Sequence, residues 1–276
     1  YTKDTNGSIV QTGQVDYLAY ATPGYEDYSY DFAYNNGSIS YLTQAAASAI
    51  PSSSFVNGCH SATIWYMTSA AFKFNGGMVF CQSDSRNDMR VHGNASRPTL
   101  YFKIDNVTTY HYFSNHFWPT TWDHGEWRCL TYSHDPRSGS LKVWTEGKDA
   151  GTMYDAAMSA SMIPDGTSFK MYMSPYFGKI AQIGIYNDVL TDAEAFAIQG
   201  GISASGVPSH TGGPGNSQDL QALAGSKDKL LEYWKFDEEH DNDNADRLTS
   251  TGSNEGYFIL TNGYADNSAR RTSDRP

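Results

Sequence analysis

The sequence predicts an all-β protein, a two-sheet antiparallel sandwich of the jelly-roll kind with one or two short helices. Three observations lead there. Short runs of alternating apolar and polar residues recur along the 276 residues. Helical periodicity is nearly absent. Turn signals such as Asn75-Gly76-Gly77, His92-Gly93-Asn94 and Glu146-Gly147-Lys148 fall between the runs.

In chain order, the strand-like runs are residues 62–67, 78–82, 89–92, 100–104, 109–113, 127–132, 141–145, 169–173, 180–186, 230–236 and 257–260. The clearest pair lies in the middle. Trp127, Cys129 and Thr131 alternate with Arg128, Leu130 and Tyr132, and Leu141 and Val143 alternate with Lys142 and Trp144. Between them, Asp135-Pro136-Arg137-Ser138-Gly139 supplies turn chemistry. Helices are expected only at 45–49 and 192–199; at the second, Thr191 is an N-cap and Glu194 closes a capping box.

One domain is expected over residues 1–264, with a long Gly-, Ser- and Pro-rich loop at 200–226 and a polar, flexible tail at 265–276. Too few residues follow Leu230-Leu231-Glu232-Tyr233-Trp234-Lys235-Phe236 to build a second sandwich, so this strand is expected to pair back into the main sheet.

Composition narrows the function. A net charge of -11 and a pI near 5.0 argue against nucleic acid. Any acidic ligand must therefore meet a local cationic patch inside a repelling field. Aromatic residues make up 14% of the chain and charged ones only 18%, a balance suited to secreted, sugar-handling proteins. The polar start at Tyr1 suits a mature secreted chain, and no apolar run is long enough to span a membrane. Asn6, Asn36, Asn94 and Asn106 head glycosylation sequons. Cys59, Cys81 and Cys129 sit in apolar strand patterns and read as buried thiols, with one disulfide and an odd thiol as the alternative.

Gly125-Glu126-Trp127, then Gly139-Ser140-Leu141-Lys142-Val143-Trp144, then Gly178-Lys179-Ile180-Ala181-Gln182-Ile183-Gly184-Ile185-Tyr186-Asn187 running on to Glu194 form an ordered set of motifs. This order resembles the LamG-like domains of the concanavalin A-like jelly-roll superfamily. The strand around Trp234 resembles the strand that opens such domains, although here it stands late in the chain. The resemblance implies the fold and a carbohydrate ligand.

Period two also selects candidate site residues. Arg90 and His92 alternate with Met89 and Val91; Tyr101 and Lys103 with Leu100, Phe102 and Ile104; Lys142 and Trp144 with Leu141 and Val143; Lys170 and Tyr172 with Phe169, Met171 and Met173. If these strands share a sheet, its non-core face is cationic and aromatic. Rings stack on sugars and Arg or Lys pairs with carboxylate or sulfate. The ordinary alternative is a solvated face whose lysines only protect sheet edges.

Such a face also suits β-elimination from a uronate. Arg90, Lys103 or Lys170 would neutralise the carboxylate, His92 or His111 would act as base, and Tyr172 or Tyr112 as acid. Tyr101, Lys142, Trp144 and Asn115 would bind substrate. In size and jelly-roll pattern the chain resembles ulvan lyases. The leading expectation is thus a secreted, monomeric lyase of a uronate-containing, sulfated, ulvan-like polysaccharide, with no membrane or nucleic-acid partner. The alternative is a non-catalytic, LamG-like carbohydrate-binding module. No strand offers the paired carboxylates of a retaining glycosidase, which leaves hydrolysis third.

His60 reads as structural, and His124 and His134 read as exposed loop residues. The acidic stretch 237–246 reads either as a solvated loop or as a structural Ca²⁺ site using Asp237, Asp241 and Asp243; its order does not match an EF-hand. No organic cofactor is expected.

Overall fold

The computed structural model describes residues 2–3, 9–10, 29–31, 40–44, 50–68, 77–82, 88–94, 97–104, 107–112, 127–145, 148–159, 170–173, 178–199, 218–234, 247–249, 257–262 and 270–272. Side chains are described within 50–65, 129–144, 149–156, 158–159, 182–199 and 218–234.

The strands are β1 (Thr2–Lys3), β2 (Ile9–Val10), β3 (Ser29–Asp31), β4 (Ser40–Gln44), β5 (His60–Thr68), β6 (Gly77–Gln82), β7 (Asp88–Asn94), β8 (Arg97–Ile104) and β9 (Val107–Tyr112). They continue as β10 (Trp127–Asp135), β11 (Ser140–Thr145), β12 (Lys148–Tyr154), β13 (Lys170–Met173), β14 (Gly178–Tyr186), β15 (Leu230–Trp234), β16 (Arg247–Thr249), β17 (Tyr257–Asn262) and β18 (Arg270–Thr272). The single α-helix among the described residues, α1, spans Asp192–Ile198.

Two eight-stranded antiparallel sheets form the jelly-roll sandwich. The first runs β12-β11-β10-β5-β14-β3-β18, with β15 also on β14; the second runs β16-β17-β4-β13-β6-β7-β8-β9. β3 and β15 share one side of β14 end to end, β3 opposite Lys179 and Ile180 and β15 opposite Ile183–Tyr186. The late Trp234 strand therefore does return to the main sheet.

Each of the runs predicted from alternation lies in or overlaps a strand. β10 extends past Tyr132 to Asp135, so the hairpin loop shrinks to Pro136-Arg137-Ser138-Gly139, with Asp135 opposite Ser140. Gly139 adopts φ 60, and a Cβ there would stand 2.8 Å from Ser159 Oγ and 2.9 Å from the Asp155 carbonyl. β12 was not expected: Gly151 at φ 119 and a register slip opposite Val143/Trp144 hide its alternation. β1, β2, β3, β16 and β18 are too short for alternation to register. Inside the expected flexible tail, Arg270–Thr272 pairs with β3. The expected helix at 45–49 and the loop residues 200–217 lie outside the described residues.

Helix α1 begins as its sequence dictates. Thr191 Oγ1 accepts from the Glu194 backbone N–H at 3.2 Å, and Glu194 Oε2 accepts from the Thr191 N–H at 2.7 Å. Lys229 Nζ donates to the same carboxylate at 2.8 Å. Burial raises the Glu194 pKa, but Lys229 and Thr191 outweigh it, and the carboxyl sits below its ordinary range.

This helix and the 218–230 segment cover the outer face of the first sheet. Trp144, Tyr186, Leu190, Ala195, Ile198, Leu220, Leu230 and Tyr233 form one cluster there. Gly184 on β14 leaves the room: a Cβ would stand 2.6 Å from Leu220 Cδ1 and 3.1 Å from Thr63 Cγ2. On the opposite, inner face lie Ala62, Ile64, Leu130, Tyr132, Leu141, Val143, Ile183 and Ile185, all buried. Both faces of this sheet are therefore core.

Candidate functional site

The ladder registers of the second sheet decide which predicted site residues share a face, because directly opposed residues in an antiparallel ladder stand on the same side. One row across the strands is Tyr41, Tyr172, Val79, Arg90, Tyr101 and Tyr110. The next row is Thr43, Lys170, Gln82, Asp88, Lys103 and Thr108. A third, shorter row is Gly77, His92, Thr99 and Tyr112. Since Asp88, Arg90 and His92 are two apart on β7, all three rows occupy one face. Leu42 and Met171, Met78, Val91 and Leu100, and Met89 and Phe102 occupy the other.

By register, one side of the sheet thus carries mainly apolar residues and the other is rich in Tyr, Lys, Arg and His. Arg90, His92, Tyr101, Lys103, Tyr112, Lys170 and Tyr172 hold register positions on one side of this sheet. Asp88 joins them, opposite Lys103. At about 4.8 Å per strand, the six strands from β4 to β9 give this face a width of roughly 24 Å.

Other predicted residues do not join it. His111 is the partner of Leu100 and so stands on the apolar face, apart from His92 and Arg90. Lys142 and Trp144 are on β11, in the other sheet. Trp144 is fully buried, not outward-facing, and its ring is unavailable for stacking on a sugar. Its Nε1 donates to Asp192 Oδ1 at 2.8 Å, and the Lys142 ammonium stands 5.2 Å from the ring centroid. Lys142 pairs with Asp192 and, at 3.2 Å, with Asp149. Burial lowers the Lys142 pKa, but the two carboxylates outweigh it and hold it above its ordinary value. The cation and indole that alternation suggested for ligand therefore anchor α1. Asn115 and the acidic residues Asp237, Asp241 and Asp243 lie outside the described residues. Among the described residues, no group of three or more His, Cys, Asp or Glu stands ready to hold a metal.

The outer face of the first sheet carries a buried polar network. Thr63 and Thr131 hydroxyls are 2.9 Å apart, Gln199 Nε2 donates to Thr131 Oγ1 and to the Trp144 carbonyl, and Ser61 and Ser133 hydroxyls are 2.6 Å apart. Cys59 and Cys129 are buried and form no disulfide, and the Cys81 side chain lies outside the described residues. Burial, reinforced by Asp135, pushes the Cys59 thiol up to about 12. Cys59 Sγ donates to Asp135 Oδ1 at 3.4 Å, and Arg137 grips the same carboxylate through Nε at 2.8 Å and Nη2 at 3.0 Å. The Arg137 bonds hold Asp135 down to about 2.

Sequence reasoning missed one buried constellation. His134, expected in an exposed loop, lies on β10 with no exposed surface, opposite the equally buried His60 on β5. The residues after Tyr132 keep the alternation going, with Ser133 and Asp135 on one side and His134 on the other. That continuation was the available signal.

Two antiparallel sheets with a short capped helix over one define a jelly-roll β-sandwich. No protein-family model matches the chain, and no curated protein matches it. Several solved structures are similar to parts of it. A native heptameric SAP-like pentraxin from Limulus polyphemus is 13% identical with a TM-score of 0.49, over 63% of this chain and 82% of the pentraxin. A Bacteroides ovatus protein described as carbohydrate-binding is 10% identical with a TM-score of 0.48, over 87% of this chain and 61% of its own length. The CBM40 of the Ruminococcus gnavus IT-sialidase, bound to α2,3-sialyllactose, is 16% identical with a TM-score of 0.40, over 64% of this chain and 94% of the module.

Proposed function

We propose that the protein binds an acidic polysaccharide across the polar face of the second sheet. The single observation that supports this is that the ladder registers put Arg90, Lys103 and Lys170 on the same side of the sheet as Tyr41, Tyr172, Tyr101 and Tyr110, in adjacent rows. Tyrosine rings offer apolar surface to sugar rings, and the cations pair with carboxylate or sulfate. A row about 24 Å wide suits a polymer lying across the strands rather than a single sugar.

A second reading, cleavage by β-elimination, is favoured by His92 and Tyr112 standing on that same face beside Arg90. His92 would take the proton α to the uronate carboxylate, and Arg90 would neutralise the enolate. Tyr112 or Tyr172 would protonate the departing glycosidic oxygen as the C–O bond breaks and the ring double bond forms. His111, on the apolar face, is not part of this proposal.

The test is to incubate the protein with ulvan, alginate, glucuronan and glycosaminoglycans, following binding and the ultraviolet absorbance of unsaturated uronate together. Binding with rising absorbance establishes the lyase. Binding without absorbance establishes the non-catalytic module, and no binding across the panel removes both.

A further inference from the structure

The two histidines buried in the first sheet have no role in the proposed glycan face, and their setting is unusual. His60 and His134 are register partners, with ring centroids 5.3 Å apart and planes at 63°. Tyr132 meets His60 edge-on at 5.4 Å and Phe55 meets it at 6.4 Å. His134 Nε2 lies 2.8 Å from the Met158 carbonyl, which only accepts, so the proton of the neutral ring is on Nε2. His134 Nδ1 and both nitrogens of His60 are buried and have no hydrogen-bond partner among the described residues. A proton arriving at any of them adds a donor with no acceptor among the described residues.

Of the charged groups nearby, Asp135 favours the protonated His134 ring, but burial outweighs it. On the two strands themselves, Asp135 follows His134 and Cys59 precedes His60, and both belong to the opposite face, where Arg137 and Cys59 occupy the carboxylate. From the hairpin loop comes Arg137, and from the segment after β14 comes Asp188, 3.8 Å from Arg137. Asp155 stands at the root of the 156–159 turn, where its backbone N–H bonds the Gly139 carbonyl. The covering segment Ser52–Gly58 contains no titratable side chain. Tyr132 is the other titratable group on the inner face here. Glu232 shares that face but is separated from the pair by the Ala62 and Ile185 positions.

Two short segments pack against the histidine pair. The 3₁₀ turns Ser52–Ser54 and Val56–Gly58 carry Phe55 over His60, and the turn Ala156–Ser159 brings the Met158 carbonyl to His134. Backbone bonds that tie them to their surroundings include Val56 N–H to the Asn187 carbonyl and Asp155 N–H to the Gly139 carbonyl.

We propose that His60 and His134 form an acid-sensitive latch: neutral, they seat the 52–58 and 156–159 turns on the sheet, and protonation opens those two turns before the helix side of the same sheet. Burial holds His134 down to about 4 and His60 well below its ordinary value, with the charge of His134 opposing that of His60 as well. The opened form therefore binds protons that the closed form refuses. Stability of the closed state is fully present above 6.5, the ordinary histidine value, and is lost as pH falls from there toward 4.

Hydrogen exchange of the intact protein across that pH window tests this without any substitution. Expected is a fall in the protection factors of residues 52–58 and 156–159 of about tenfold per pH unit for one histidine, up to about a hundredfold for both, with α1 still protected. In the double variant His60→Phe, His134→Gln, chosen to keep the ring packing and the bond to Met158, that dependence is expected to vanish. Loss of protection evenly across the turns and α1, or protection in the turns that does not change with pH, overturns the proposal. So does an unchanged pH dependence in the double variant.

Discussion

The two sheets are built alike, with eight antiparallel strands each and the same alternation of polar and apolar residues, yet the alternation means different things in them. In β7 and β8 it separates an apolar face from one carrying Arg90, His92, Tyr101 and Lys103. In β5 and β10 it separates Ile64, Ala62, Leu130 and Tyr132 from Thr63, Ser61, Thr131 and Ser133, and both sets are buried. There the polar residues satisfy one another and Gln199 beneath α1. Alternation reports which residues share a face. Whether that face meets water depends on what the rest of the chain lays over it.

Breaking the covered face should have the largest effect. Trp144→Ala removes a fully buried indole and is expected to cost about 3–5 kcal/mol in urea unfolding. A loss under 1 kcal/mol would mean that α1 does not seal this face. Acid comes next: with His134 held near 4 against an ordinary 6.5, its burial alone should remove about 3 kcal/mol of stability as pH falls through that window. A flat stability profile there would contradict the buried neutral pair.

Gly184→Ala sharpens the packing argument. Its methyl meets Leu220 Cδ1 and Thr63 Cγ2, and overpacking should cost about 1–3 kcal/mol with little change in glycan affinity. Thr191→Ala removes the N-cap of α1 and is expected to cost about 1 kcal/mol, visible as a modest drop in Tm.

Much of the fold was legible because its long strands alternate cleanly and its helix announces itself through Thr191 and Glu194. β12 was not, since Gly151 and the slip opposite Val143/Trp144 break the period. The membership of Arg90, Tyr101, Lys103, Lys170 and Tyr172 in one polar set was legible from period two alone. Their union on one face was not, because register between distant strands is set by pairing that no local pattern encodes. Lys142 and Trp144 misled for a related reason. Their pattern equals that of Tyr101 and Lys103, and only the fold of the later residue Asp192 onto them buries Trp144 and pairs Lys142. His134 was misread because the strand was ended too early, at Tyr132.

The most direct test of the account compares affinity for an acidic polysaccharide that the wild type retains, measured by calorimetry, between Arg90→Ala/Lys103→Ala and Lys142→Ala. If the glycan face is on the second sheet, the first variant loses affinity by about tenfold or more while its Tm holds, and Lys142→Ala binds like the wild type. Equal affinity in the Arg90/Lys103 variant, or loss confined to Lys142→Ala, would contradict it.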